Sequence, residues 1–153
     1  MIKMHIAGFC LGGTRTLLYK LNCVNSCYIL FENNLKHYLK MIAHDKPDAV
    51  LGLGTYSGRD QDKIRVETRF TNQFRNDYID GDLERVISIS PFFKLSDRMK
   101  LATAAGNSWC NMFSYKIVTF IQDGHLETDY SFLHVPNKIK WWQAKKIIDQ
   151  TLG

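Results

Sequence analysis

An α/β layered domain built on a mostly parallel sheet is the fold class that the sequence predicts. Three observations lead there. Short β-prone runs alternate with helical patterns along the chain. Two of those runs, residues 27–31 and 49–53, are continuously apolar, as strands buried on both faces are. The composition is that of an ordinary globular protein: of 153 residues, 45% are hydrophobic and 23% charged, which excludes a disordered chain, collagen and a pure coiled coil. The length suits a single domain over residues 1–153.

Taken in order, residues 3–9 make a short strand that Gly12 and Gly13 close. Thr14 can cap a helix carrying Leu17, Leu18 and Leu21. Residues 27–31 read as a buried strand, and residues 32–45 place Leu35, Tyr38, Leu39 and Ile42 at helical spacing. Residues 49–53 read as a second buried strand, ended by Gly52 and Gly54. Residues 64–67 and 86–89 alternate as strands do. Residues 107–120 read as a helix, residues 130–135 as a strand stopped by Pro136, and residues 140–152 as a closing amphipathic helix. On that last helix Trp142, Ile147 and Ile148 are expected to pack inward while the lysines face water. Sheets of this class hold ligands beyond the carboxyl ends of their strands.

Several chemistries are disfavoured. Lysine plus arginine is 20 against 15 acidic residues, a modest net charge of +5. Lys138, Lys140, Lys145 and Lys146 surround Trp141 and Trp142, but a charged helix face accounts for them better than nucleic-acid binding does. The glycine-rich stretch 52–58 lacks dinucleotide-fingerprint spacing and a following helix, so it reads as a turn that lets backbone approach a site. Cys23 and Cys27 have no second ligand pair, so they read as half-buried free thiols rather than a zinc site. No apolar run reaches the ~18–20 residues of a membrane helix. The start of the chain lacks the pattern of a secretory signal, so the expected compartment is the cytoplasm.

Three residues carry candidate chemistry. Cys110 falls in the first turn of its helix, after Asn107 and Ser108. There the helix dipole and free backbone N–H groups favour thiolate, predict a pKa below the ~8.5 of a free thiol, and can hold an oxyanion. His134 lies at a strand's carboxyl end, a place for a general base as well as for a rim histidine bonded to backbone. Glu67 lies within a strand, where a carboxylate needs an arginine or a histidine as partner.

Around these residues the sequence resembles the pyrrolidone-carboxylate peptidases, also called pyroglutamyl peptidase I. Ala105-Gly106-Asn107-Ser108-Trp109-Cys110-Asn111 is similar to their Ser-Ala-Gly, two residues, then Cys-Asn. Phe132-Leu133-His134-Val135-Pro136 resembles their Phe-Ile-His-Val-Pro. Gly58-Arg59, and Glu67 with Asn72 five residues later, resemble Gly-Arg followed by Glu-Arg-Val-Ala-x-Asn; Gly8-Phe9 with Gly12-Gly13 resembles the family's opening. The matches run in order from residue 8 to residue 136.

The resemblance implies a three-layer α/β/α sandwich and a cysteine peptidase that releases N-terminal 5-oxoproline from peptides through a thioester. It implies Cys110 as nucleophile, His134 as base and then acid, and Glu67 orienting the imidazole, with no metal or cofactor required. A peptide or small amide is the implied substrate. A homo-oligomer is compatible with the family, whose members often form dimers or tetramers. The departures lie around the pocket. The chain is short for the family, and the family's Asp-x-Arg-Ile-Pro-Asp-Asn loop is replaced by Phe74-Arg75-Asn76-Asp77, making Arg75 the candidate to stand in for the loop arginine. The helix expected before the cysteine segment is reduced to residues 92–101, and Trp109 precedes the nucleophile where a smaller residue is usual. Phe9 is the expected apolar wall of a ring pocket between the 8–13 turn and the Cys110 helix start, with Trp109 beside it. A cysteine amidase with another substrate and a catalytically idle binding protein are the alternatives.

Overall fold

The computed structural model describes residues 2–22 and 25–153. Strands β1 (Met4–Gly8), β2 (Ser26–Ile29), β3 (Ala49–Tyr56), β4 (Ile64–Glu67), β7 (Met99–Ala102) and β8 (Asp129–Pro136) form one six-stranded sheet in the order β2-β1-β3-β8-β4-β7. Every pairing is parallel except β4 with β8, which is antiparallel. Strands β5 (Arg69–Thr71) and β6 (Val86–Ser88) pair separately and antiparallel. The helices are α1 (Arg15–Lys20), α2 (Leu35–Asp45), α3 (Trp109–Asp123) and α4 (Trp141–Leu152).

Strand periodicity sorts the core onto two faces. On one face Ala7, Val50, Tyr130 and Phe132 meet Tyr38 and Ile42 of α2 and Phe113 and Ile117 of α3. On the other Ile6, Leu51, Leu53, Leu133 and Val135 meet Leu17 and Leu18 of α1 and Ala144 and Ile148 of α4. The result is the expected α/β/α layering on a mostly parallel sheet. Among the described residues no helix is long and apolar enough to cross a membrane.

Several expectations about single elements are corrected. The run 27–31 is not a buried strand: β2 is the sheet edge, half-buried along its length, and Cys27 is exposed. Cys23 lies outside the described residues. Gly52 and Gly54 do not end β3, which continues to Tyr56; they keep its centre free of side chains where rings cross it. Residues 92–101, read as the remnant of a reduced helix, are not helical, and the end of that stretch enters edge strand β7 (Met99–Ala102). Trp142 does not pack inward: it is 55% exposed, and Trp141 packs against the core with Ile147 and Ile148. The helical stripe therefore lies one position from where it was expected.

His5 is fully buried on β1 beside the rings of Tyr28 and Tyr38, with Nε2 3.2 Å from Asp45 Oδ2. Burial holds its pKa below the ordinary 6.5; Asp45 opposes the shift and Lys3 reinforces it. The unfolded chain therefore takes up this proton first. Stability is intact above the unfolded value and declines as pH falls through it toward the lower folded value. Thermal melting between about pH 7 and 5 is expected to show a steeper loss for wild type than for His5→Gln. Parallel curves would show that His5 does not carry the difference.

Candidate active site

Glu67 and His134 meet because β4 runs antiparallel beside β8. Ile64 and Val66 face the α1/α4 side, so alternation turns Arg65 and Glu67 to the α3 side, where His134 also lies next to Phe132. Glu67 is 0% exposed, and its Oε1 accepts a hydrogen bond from His134 Nδ1 at 2.9 Å. The same oxygen accepts one from Arg65 Nε at 3.0 Å. The carboxylate's need for an arginine or a histidine is thus met by both. Burial pushes the Glu67 pKa up, but the His134 and Arg65 contacts outweigh it, and the group sits below the usual carboxylate value. Glu67 Oε2 is buried and has no hydrogen-bond partner among the described residues. With Nδ1 committed to Glu67, His134 carries its reactive lone pair on Nε2.

Cys110 is the second residue of α3, and Ser108 is the N-cap, in extended conformation and without a side-chain capping bond. The thiol lies over Gly54: a Cβ built there would stand 3.0 Å from Cys110 Sγ. Gly54 is the register partner of His134 across the β3–β8 pair, so thiol and imidazole occupy the same level of the sheet. The Cys10 thiol lies in the neighbourhood of Cys110 and acts on its titration. That neighbour and burial push the Cys110 thiol well above its ordinary value, with the Glu67 charge adding to the shift. The more exposed Cys10 is held below its own ordinary value by Cys110. The direction is opposite to the expected low pKa: a neighbouring thiol and burial raise the Cys110 thiol more than the helix start lowers it.

A cavity of about 630 Å³ opens at Cys10 and Trp109, and Glu67, Cys110 and His134 are not among its lining residues. It lies between the β1 turn and the start of α3, lined on those sides by Phe9, Cys10, Leu11, Gly12, Trp109 and Phe113. Phe9 is fully buried and stacks on Phe132 at 5.0 Å, and Trp109 stacks on Phe113 at 5.9 Å. Arg75 does not line the cavity; its guanidinium lies over the rings of Phe74 (5.0 Å) and Trp109 (5.9 Å). Its backbone N–H donates to Asn107 O at 2.6 Å, which ties the replacement loop to the start of α3. Asn111 holds the other side, accepting from Thr71 N and donating to Thr71 O and Gln73 O. Asn72 spends its side chain on Ile79 N, Asp80 N, Asp80 O and Leu83 O, fixing the loop before β6.

Sequence reasoning missed Arg65 and Cys10. Arg65 had a signal: it stands two residues before an anomalous strand carboxylate, on the same face. Cys10 had a weaker one: it lies in the 8–13 turn expected to face the Cys110 helix start, and the turn is held beside β3, where Thr55 N donates to Cys10 O at 3.1 Å. Among the described residues no group of three or more His, Cys, Asp and Glu is gathered as a metal site would need.

The fold and site define an α/β/α domain with a buried glutamate at the end of β4, a histidine near the carboxyl end of β8 and a buried cysteine at the start of α3. No protein-family model and no curated protein matches the sequence. Solved structures do. Pyroglutamyl peptidase I from Bacillus amyloliquefaciens superposes with a TM-score of 0.78 at 17% identity, over 96% of this chain and 91% of that one. Pyrrolidone carboxyl peptidase from Thermococcus litoralis gives 0.74 at 19%, over 97% and 90%. The enzyme of that name from Thermus thermophilus gives 0.70 at 16%, over 97% and 98%. At these identities the likeness establishes the fold: this chain has the fold of the pyroglutamyl peptidases, with a strongly diverged sequence.

Proposed function

We propose that the protein is a cysteine peptidase that releases N-terminal 5-oxoproline, with Cys110 as nucleophile, His134 as general base and then acid, and Glu67 orienting the imidazole. The observation that carries this reading is the 2.9 Å bond from His134 Nδ1 to buried Glu67, at the sheet level where Cys110 Sγ lies over Gly54. The raised Cys110 pKa favours a general-base route over a standing ion pair. As sulfur attacks the amide carbon, the thiol proton passes to His134 Nε2 and the carbonyl oxygen becomes an oxyanion facing the backbone N–H groups of the α3 start. Collapse breaks the C–N bond, and His134 returns the proton to the leaving amine. Water, deprotonated by His134, then attacks the thioester, releasing 5-oxoproline and restoring the thiol. Phe9 and Trp109 supply the apolar walls of the acyl pocket, and Arg75 braces Trp109.

A second reading, an amidase for a larger acyl group, is favoured by the cavity itself. About 630 Å³ exceeds what a five-membered lactam fills, and the lining extends to Phe31, Glu32 and Arg15. One experiment tests both. Wild type and Cys110→Ala are assayed on a pyroglutamyl fluorogenic amide and on amides of larger apolar acyl groups. The expected result is turnover of the pyroglutamyl amide by wild type and none by Cys110→Ala. Turnover of the larger amides alone selects the second reading. No turnover and no acylation of Cys110 with any of them overturns the enzymatic reading.

A further inference from the structure

Arg65 is placed where it can govern Glu67. It lies on β4 two residues before Glu67, and antiparallel register sets it directly opposite His134. Its Nε donates to Glu67 Oε1 at 3.0 Å, the oxygen that also accepts from His134. Its guanidinium lies 4.5 Å over the ring of Tyr56, and that ring is 5.7 Å from the His134 ring. The side chain is only 15% exposed and is thus held on two sides. Such a guanidinium presents a rigid fork, whose geometry a lysine does not reproduce.

We propose that Arg65 is a positioning residue for the Cys110–His134–Glu67 reaction: its Nε bond fixes Glu67 Oε1 toward His134 Nδ1 and balances the buried carboxylate's charge. This rests on the enzymatic reading above. Without Arg65, Glu67 keeps one hydrogen bond in a fully buried site, because Oε2 has no partner among the described residues. A carboxylate so placed takes up a proton at higher pH or turns away. The titratable and charged groups that face Glu67 are His134 from β8, Arg65 from β4 and Cys110 from α3. Lys100, next to Arg65 in the β4–β7 register, is engaged by Asp60 and Asp62.

The test reads Glu67 directly. The chain contains four glutamates, Glu32, Glu67, Glu84 and Glu127, so the side-chain carboxyl carbons of a 13C-glutamate-labelled protein give few signals, and Glu67→Gln assigns the one of interest. In Arg65→Met the Glu67 midpoint is expected to rise by about one pH unit, and in Arg65→Lys by less. With the amide substrate, kcat of Arg65→Met falls about tenfold or more while KM holds, and the acid limb of kcat/KM moves with the Glu67 midpoint. Arg65→Lys keeps its acid limb near wild type but not its full kcat. A folded Arg65→Met with an unmoved Glu67 midpoint overturns the proposal, as does a moved midpoint with wild-type kcat. If Arg65→Met does not fold, Arg65→Gln, which retains an N–H donor, is titrated in its place. If wild type hydrolyses no amide, the functional reading fails, and the carboxyl titration still decides whether Arg65 controls Glu67.

Discussion

His134→Ala lowers kcat by roughly 10⁴, whereas Glu67→Gln lowers it by only roughly 10², on the expectation set by the two bonds at Glu67 Oε1. On the proposed mechanism the alanine variant loses the group that accepts and returns the proton, and among the described residues no other base is bonded to Glu67. The glutamine variant is milder for a reason specific to this site. In many triads an amide can turn its NH2 toward the histidine and lock the wrong tautomer. Here Arg65 Nε and His134 Nδ1 both donate to Oε1. A glutamine that kept its oxygen there would satisfy both, and its NH2 would occupy the place of Oε2, which has no partner to lose among the described residues. The tautomer survives and only the charge is lost. A charged hydrogen-bond partner is worth about 2–3 kcal/mol, which corresponds to the smaller drop. Steady-state kinetics on folded variants, with KM near wild type in both, checks this. Equal losses in the two variants would mean that the amide turns and that Arg65 does not hold it.

Much of this arrangement was legible in the sequence because the decisive residues are anomalies. A carboxylate inside a β-run is out of place in a core, so Glu67 called for an arginine or a histidine before the topology was known; His134 by itself read as well as a histidine bonded to backbone, and the family resemblance joined it to Glu67 and Cys110. Their contact still required the antiparallel β4–β8 pairing, which alternating patterns do not reveal, since parallel and antiparallel neighbours bury the same faces. Arg65 could have been found from period-2 spacing. Cys10 lay in the turn expected to face the Cys110 helix start, but its side-chain direction depends on the pairing of β1 with β3. The Cys110 pKa was misjudged for a related reason: helix-start chemistry is local, while burial and a second thiol are tertiary. Trp142 failed on helical phase, where one residue is a rotation of about 100°. The helix remnant read over residues 92–101 failed because the four-residue edge strand at its end, carrying exposed Leu101, is too short to show a period.

The glycines of β3 separate stability from catalysis. Gly52→Ala is expected to destabilise the fold and Gly54→Ala to disable the site. A Cβ at Gly52 would lie 2.5 Å from Tyr130 OH and 2.7 Å from Phe132 Cδ2. Both rings are buried in the α2/α3-side core. Overpacking of this kind costs about 2–3 kcal/mol, a fall in Tm of roughly 5–10 °C for a chain of this size. Neither Cys110 nor Glu67 is among the atoms nearest that Cβ, although the displaced Phe132 ring lies 4.6 Å from that of His134, so kcat per folded molecule falls less than in Gly54→Ala. A Cβ at Gly54 would lie 3.0 Å from Cys110 Sγ, 3.0 Å from Phe132 Cζ and 3.1 Å from Phe9 O. The backbone oxygen is fixed and the Phe132 ring is held against Phe9, so the sulfur is the atom that yields. A nucleophile displaced by a fraction of an ångström to an ångström loses about a hundredfold in rate, for about 1 kcal/mol of stability. Melting curves and kcat measured on the two variants side by side distinguish these outcomes. A Gly54→Ala protein as active as wild type would mean that Cys110 does not react from the position over β3. The nucleophile would then have to be sought at Cys10, the thiol that lines the cavity.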